Sequence, residues 1–281
     1  MRVEEILGKV HGLPPFPAVI HRVTALLSDP LVSADSLLEV VKYDQSITAN
    51  VIRMCNSALL AGAQRVSSLK DALIRIGNRN LIHVILSAGG NDLLRKEVPG
   101  YDLGRGELWK HSILCALLAE SLCDVVEYGR KDKAFTAGLM HDIGKVVLSE
   151  FVGRQYREIR DAAQARKTSF AEGEVSILGV SHAEIGGRIG EAWNFDPELV
   201  NAIRHHHAPA EGEADPLLFL VHLSDVLCMT GGAGFGADGL QYNVDYELLK
   251  RHAVGPKEFE LGLIRLVEVA QHFHGIVAMY D

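Results

Sequence analysis

Apolar residues recur at helical spacing along almost the whole 281-residue chain, and the strict alternation of a half-buried strand is nearly absent. Val19, Ile20, Val23, Leu26 and Leu27 form one such stripe, and Leu114, Leu117, Leu118 and Leu122 form another. This periodicity predicts an all-α protein, built as two packed helical bundles. Helix start signals agree with it. Ser33 or Asp35 precedes Leu37-Leu38, Ser68 precedes Leu69-Lys70-Asp71, and Asp196-Pro197 precedes Glu198-Leu199-Val200. Each puts a side-chain acceptor where a helix leaves its first amides without partners. The pattern breaks most clearly from Glu97 to Gly106, where one proline and three glycines interrupt it. A boundary there would separate an amino-terminal helical part, residues 1–96, from a carboxy-terminal part, residues 107–281.

One apolar stretch contains a chemical anomaly. Gly138-Leu139-Met140-His141-Asp142-Ile143-Gly144-Lys145 sets a histidine beside an aspartate inside an otherwise hydrophobic run. Burying a carboxylate is costly unless a cation or hydrogen bonds compensate it. Candidate companions are His111 upstream, and His182, the triplet His205-His206-His207 and Asp225 downstream, at intervals suited to separate helices. Imidazole nitrogen and carboxylate oxygen together suit zinc, iron, manganese or nickel, and one carboxylate can bridge two ions. Adjacent helical residues point about 100° apart, so His141 and Asp142 can share a site only where helices converge or one ends. Glu107 and His111 stand four apart on one helical face, which adds a carboxylate candidate. His205 reads as an exposed group or one that supports a ligand from outside, and His222, one turn before Asp225 on the same predicted helix, reads as either of these too.

The order of motifs resembles the HD superfamily of metal-dependent phosphohydrolases, and within it the HDOD branch. The amino-terminal part carries Leu13-Pro14-Pro15-Phe16-Pro17, Tyr43-Asp44-Gln45-Ser46-Ile47-Thr48, Asn56-Ser57 and Ala72-Leu73-Ile74-Arg75-Ile76-Gly77. The carboxy-terminal part carries Leu108-Trp109-Lys110-His111-Ser112, the His141-Asp142 doublet with Gly144-Lys145, Ser181-His182-Ala183-Glu184-Ile185-Gly186 and His206-His207-Ala208-Pro209. Matched to the related HD-GYP phosphodiesterases, the resemblance implies that His111, His141, Asp142 and Asp225 serve one metal and His182, His206 and His207 a second. It also implies a further carboxylate ligand in Glu107 and a catalytic pair in Asp142 and Lys145. The cofactor implied is a divalent transition metal, as one ion or two. Ala208-Pro209-Ala210-Glu211-Gly212 stands where those enzymes carry Gly-Tyr-Pro.

Composition narrows the alternatives. Apolar residues make up 48% and charged residues 23%, as in a soluble globular protein. The longest apolar stretch, Leu217 to Met229, is broken by His222 and Asp225 and falls short of the roughly 18 residues of a membrane span. The start, Met1-Arg2-Val3-Glu4-Glu5, lacks a secretory layout, so the expected location is cytoplasmic, with no membrane partner. Cys55, Cys115, Cys123 and Cys228 are scattered in apolar contexts and read as buried free thiols rather than disulfides or zinc ligands. A net charge of −8 and the absence of a basic run argue against nucleic-acid binding, including a helix-turn-helix over 33–60. The arginines at 154, 157, 160 and 166 are interleaved with Glu158 and Asp161 and read as a solvated helix face. Gly234 to Gly239 matches a dinucleotide fingerprint by letter, yet no strand precedes it, and it reads as a loop.

The resemblance implies a bacterial signalling or regulatory protein acting through a protein partner, or through a nucleotide or phosphate ligand, with an HD-type metal site retained. The competing reading is a metal-dependent phosphohydrolase or phosphodiesterase acting on a nucleotide or cyclic dinucleotide. The near-complete ligand set favours the enzyme, and the missing Gly-Tyr-Pro segment favours the regulator.

Overall fold

A computed structural model of the chain describes residues 3–11, 33–41, 48, 51–52, 55, 67–68, 70–77, 96–212, 215–232, 246–252 and 254–277. Eleven α-helices and one 3₁₀ turn, Pro99–Tyr101, have defined bounds, residues 48, 51–52, 55 and 70–77 are helical as well, and there is no strand among the described residues. In chain order the helices are α1 Val3–His11, α2 Ala34–Val41, α3 Glu107–Leu122, α4 Lys131–Met140, α5 Gly144–Arg166 and α6 Phe170–Leu178. They continue with α7 His182–Ala192, α8 Pro197–His205, α9 Pro216–Thr230, α10 Tyr246–Arg251 and α11 Pro256–Val277. The motifs at Leu13 to Pro17 and Asn56-Ser57, the stripe from Val19 to Leu27, most of Tyr43 to Thr48, and the glycines at 234–239 lie outside the described residues.

The caps fall where the sequence puts them. Ser33 Oγ accepts the Ser36 amide at 3.2 Å ahead of Leu37, Ser68 Oγ accepts that of Asp71 at 3.1 Å, and Asp196 Oδ1 accepts that of Glu198 at 2.9 Å. Pro197 and Pro216 occupy first-turn positions that need no donor. Asp215 caps α9 through the Leu218 amide at 2.8 Å, and Ser169 and Glu172 form a reciprocal capping box at the start of α6.

The chain divides into two compact units, Met1–Pro14 with Leu93–Val269, and Pro15–Asp92 with Ala270–Asp281. The division differs from a simple cut near residue 97, because α1 groups with the later residues. Its apolar face, Ile6 and Val10, is buried, and the helix packs on α5 and α7. In the larger unit α3 lies along α4, α9 packs on both, and α7 packs on α5 and α8. Helices α3 and α9 are buried almost all round, including every residue from Leu217 to Cys228. That explains the all-round apolarity of the Leu217–Met229 stretch: it is a core helix. No described helix is long and apolar enough to cross a membrane.

Two glycines let these helices approach closely. A Cβ on Gly138 would stand 2.7 Å from the Ala116 Cα, and one on Gly144 would stand 1.9 Å from the His182 carbonyl oxygen and 2.7 Å from the Gly186 nitrogen. The obstacle at Gly144 is backbone, which cannot rotate aside. Gly144→Ala is therefore expected to destabilise the protein by roughly 2–4 kcal/mol in urea unfolding, through forced separation of α5 from α7. A loss below about 0.5 kcal/mol would show that this close approach does not set the packing.

Candidate metal centre

His141 and Asp142 sit in the turn between the end of α4 at Met140 and the start of α5 at Gly144. His141 and Ile143 keep helical backbone angles, so the two adjacent side chains share one site because other elements converge on this turn. Around this turn converge His111 and Cys115 from α3, His182 from the first position of α7, His206 and His207 just past the end of α8, and Asp225 from α9. One ligand-type atom from each of His111, Cys115, His141 and Asp225 lies within 4.8 Å of the others, and the same holds for Asp142, His182, His206 and His207.

Asp142 links the two groups. Its Oδ2 is 3.7 Å from His111 Nε2 and 3.4 Å from His141 Nε2, while its Oδ1 is 3.4 Å from His182 Nε2 and 3.7 Å from His206 Nε2. Asp225 Oδ1 adds contacts of 3.1 Å to His111 Nε2 and 3.7 Å to His141 Nε2. Ligands about 2.1 Å from a tetrahedral ion stand about 3.4 Å from one another. The observed spacings bracket that value, and most are too long for hydrogen bonds.

The outward ring nitrogens fix which way each imidazole works. His141 Nδ1 lies 2.7 Å from the Gly138 carbonyl and His206 Nδ1 lies 2.7 Å from that of Ile203. A carbonyl only accepts, so each Nδ1 carries a proton and each ring turns its Nε2 toward Asp142. His182 Nδ1 is 2.8 Å from Glu174 Oε2, which also accepts the His182 amide at 2.9 Å. The fully buried Glu174 accepts a hydrogen bond from the Tyr101 hydroxyl as well, so the 3₁₀ turn braces the far side of His182. His182 Nε2 meets His207 Nε2 at 2.8 Å.

The lone pair of His206 Nε2 thus faces Asp142 Oδ1 at 3.7 Å in a buried site. His141 Nε2, His206 Nε2 and Asp142 Oδ1 are buried without a hydrogen-bond partner. Acceptor against acceptor is repulsive, and cations between them would resolve it. Lys145 supplies one positive charge, its Nζ 2.6 Å from Asp142 Oδ2 and 5.6 Å from the centre of the Tyr101 ring. Burial opposes ionisation of Asp142, but Lys145 and His141 hold its carboxyl well below the usual range. Burial likewise works against Asp225, and His111 and His141 bring it down to about 2. Burial presses His206 down to about 4 and, with His206 and His182 adjacent, His207 well below the usual imidazole range. Burial opposes charge on His111, but Cys115 and Asp225 raise it well above the usual imidazole range. The ionised carboxylates and the neutral His206 and His207 thus stand in the states that ligation requires, and His111 would release a proton on binding a metal.

Not every sequence candidate arrives. Glu107 is exposed, and its Oε2 accepts the Gly104 amide at 2.6 Å, so it ends the Pro-Gly segment instead of joining the cluster. His205 lies outside both groups and lines a pocket of about 350 Å³ together with Ser181, Glu184, Arg204, His207 and Glu211. His222 is buried and its Nδ1 donates to the His206 carbonyl at 2.7 Å, which positions the turn carrying two ligand candidates. Sequence reasoning missed Cys115, Glu174 and Tyr101. The i, i+4 spacing of His111 and Cys115 was a usable signal; the other two had none.

Comparison with known proteins agrees with this architecture. Residues 13–209 match the HDOD domain. The structure of an HDOD domain protein with unknown function from Geobacter sulfurreducens superposes with a TM-score of 0.73 at 24% identity, covering 99% of this chain and 98% of that one. A candidate phosphohydrolase from Shewanella amazonensis SB2B gives 0.63 at 23% identity, over 98% and 94% of the two chains. An uncharacterized protein of Treponema pallidum (strain Nichols) is 22% identical over 224 residues, 79% of this chain and 43% of that protein. The chain spans less than half the length of the curated relatives it matches.

The depressed His206 pKa carries a stability consequence. The unfolded chain takes up a proton near pH 6.5, and the folded chain only near pH 4. This contribution is therefore intact above pH 6.5 and lost as the pH falls to about 4, at up to about 1.4 kcal/mol per pH unit for one proton. Chelator-treated protein should lose stability over that window in denaturant titrations, with a visibly shallower limb in His206→Asn. Equal slopes in the two proteins would contradict the assignment.

Proposed function

The chain belongs to the HDOD family, and from that premise we propose that it is a bacterial signalling protein whose regulatory state is set by a buried HD-type metal centre. In this reading His111, His141 and Asp225 hold one divalent transition-metal ion with Asp142 Oδ2, and His182, His206 and His207 hold a second with Asp142 Oδ1. The carrying observation is that the two oxygens of one buried carboxylate address two separate groups of ligand atoms at metal-ligand spacing. Ligands arrive from α3, α7, α9 and the turns after α4 and α8, so occupancy ties together the elements on which partner binding would depend. His207 borders the pocket of about 350 Å³, which gives a protein partner, a nucleotide or a phosphate a route to sense the centre.

A second reading, phosphodiester or phosphomonoester hydrolysis, is favoured by the position of Lys145. Metal ions in such a site supply Lewis-acid polarisation of a phosphoryl oxygen and activation of water. Asp142 would fix the two ion positions, and Lys145, already held at Asp142 Oδ2, would place an ammonium where negative charge develops on phosphate.

Three measurements separate these readings. Protein purified without a histidine tag should carry about one to two transition-metal equivalents, and a content below about a tenth, unchanged after incubation with iron, manganese or zinc, would reject the centre. Chelation should raise hydrogen exchange in α7 and at the end of α8, whereas unchanged exchange would remove the regulatory link. Cyclic dinucleotides, nucleoside monophosphates and an aryl phosphodiester should show no metal-dependent turnover. Turnover that requires metal, vanishes in Asp142→Ala and falls about a hundredfold in Lys145→Ala would instead install the hydrolase.

A further inference from the structure

We propose that Cys115 is a thiolate ligand of the first metal position, making it a sulfur-containing site that selects zinc or iron over manganese and magnesium. The inference rests on the metal-centre reading and adds a ligand of a different chemical kind. His111 Nε2 is the atom through which that ring faces the site, since it lies 3.1 Å from Asp225 Oδ1 and 3.7 Å from Asp142 Oδ2. The same atom lies 3.5 Å from Cys115 Sγ, closer than His111 Nδ1 at 3.9 Å. Cys115 would be a fifth ligand beside His111, His141, Asp225 and Asp142 Oδ2, and adjacent ligands of such an ion, with nitrogen at about 2.1 Å and sulfur at about 2.3 Å, stand roughly 3.1–3.6 Å apart. The sulfur is hydrogen-bonded to the metal-facing nitrogen and stands at a spacing that two ligands of one ion would also adopt.

Independent support comes from His141. Its Nε2 belongs to the same group of four, is fully buried and has no hydrogen-bond partner. Helix geometry explains the pairing. Cys115 follows His111 by one turn on α3 and shares its face, while Asp225 and Cys228 bear the same relation on the adjacent α9. Burial and the neighbouring Cys228 push the Cys115 thiol well above its usual range, so the thiolate forms only when an ion displaces the proton. On metal binding the Cys115 S–H bond breaks, its proton leaves to solvent, and the thiolate pair forms the bond to the ion. Soft sulfur raises affinity for zinc and iron, whereas an all-oxygen and nitrogen site also suits manganese.

The test is cobalt(II) titration of the chelator-treated full-length chain, with bound cobalt counted by elemental analysis after desalting. A near-ultraviolet thiolate-to-cobalt charge-transfer band should appear in the wild type and in Cys228→Ala, and be absent in Cys115→Ser although cobalt is still bound. Cys115→Ser should also lower the preference for zinc over manganese by about tenfold or more. X-ray absorption on the zinc-loaded wild type needs no variant and should show a sulfur scatterer at about 2.3 Å. Cobalt bound without the band, zinc surrounded by nitrogen and oxygen alone, or a band lost in Cys228→Ala but kept in Cys115→Ser would each overturn the role of Cys115 and leave the metal centre standing. Failure to bind any cobalt or zinc would overturn both.

Discussion

A buried carboxylate with one oxygen held by an ammonium and the other without a hydrogen-bond partner is the constraint around which the larger unit is organised. Asp142 is almost wholly out of water, one oxygen turned to His111 and His141 and the other to His182 and His206. Such a group is tolerable only if positive charge reaches both oxygens. Lys145 reaches Oδ2 alone. Oδ1 has no hydrogen-bond partner and faces the bare Nε2 of His206. The arrangement is costly as it stands and becomes favourable with cations between the ligand groups.

Much of the surrounding structure serves to hold that geometry. Gly144 removes the side chain that would collide with the His182 carbonyl, bringing the start of α5 onto the start of α7. The Gly138 and Ile203 carbonyls and the Glu174 carboxylate each fix the outer nitrogen of one ring, which sets its tautomer and aims its inner nitrogen. Tyr101 in turn holds Glu174, so a short turn distant in sequence supports His182. Apolar helices α3 and α9 pack around the centre and exclude water, which strengthens every charge interaction inside it.

Sequence pattern conveyed the helical class because the 3.6-residue period is a local property, repeated in nearly every segment. It conveyed the ligand types for a similar reason: His141-Asp142 stands out against its apolar neighbours, and two adjacent ligands implied the helix break seen after Met140. It failed where a residue's role depends on what it meets in space. Glu107 shares a face with His111, yet its carboxylate turns to the Gly104 amide. Glu174 lies eight residues before His182, across the turn between two helices, and nothing in its neighbourhood distinguishes it from a surface glutamate. Tyr101 falls in a Pro-Gly segment that reads as a boundary but packs into the core, and α1 joins helices distant in sequence because burial of Ile6 and Val10 decides its place.

The central claim, that Asp142 sits between two cation positions, is open to direct observation by anomalous diffraction from crystals grown with zinc or iron present. The account predicts density peaks on both sides of the carboxylate, about 3.5–4 Å apart, one nearest His111, His141 and Asp225 and the other nearest His182, His206 and His207. No anomalous peak at the cluster, with the Lys145 ammonium the sole cation at Asp142, would contradict it.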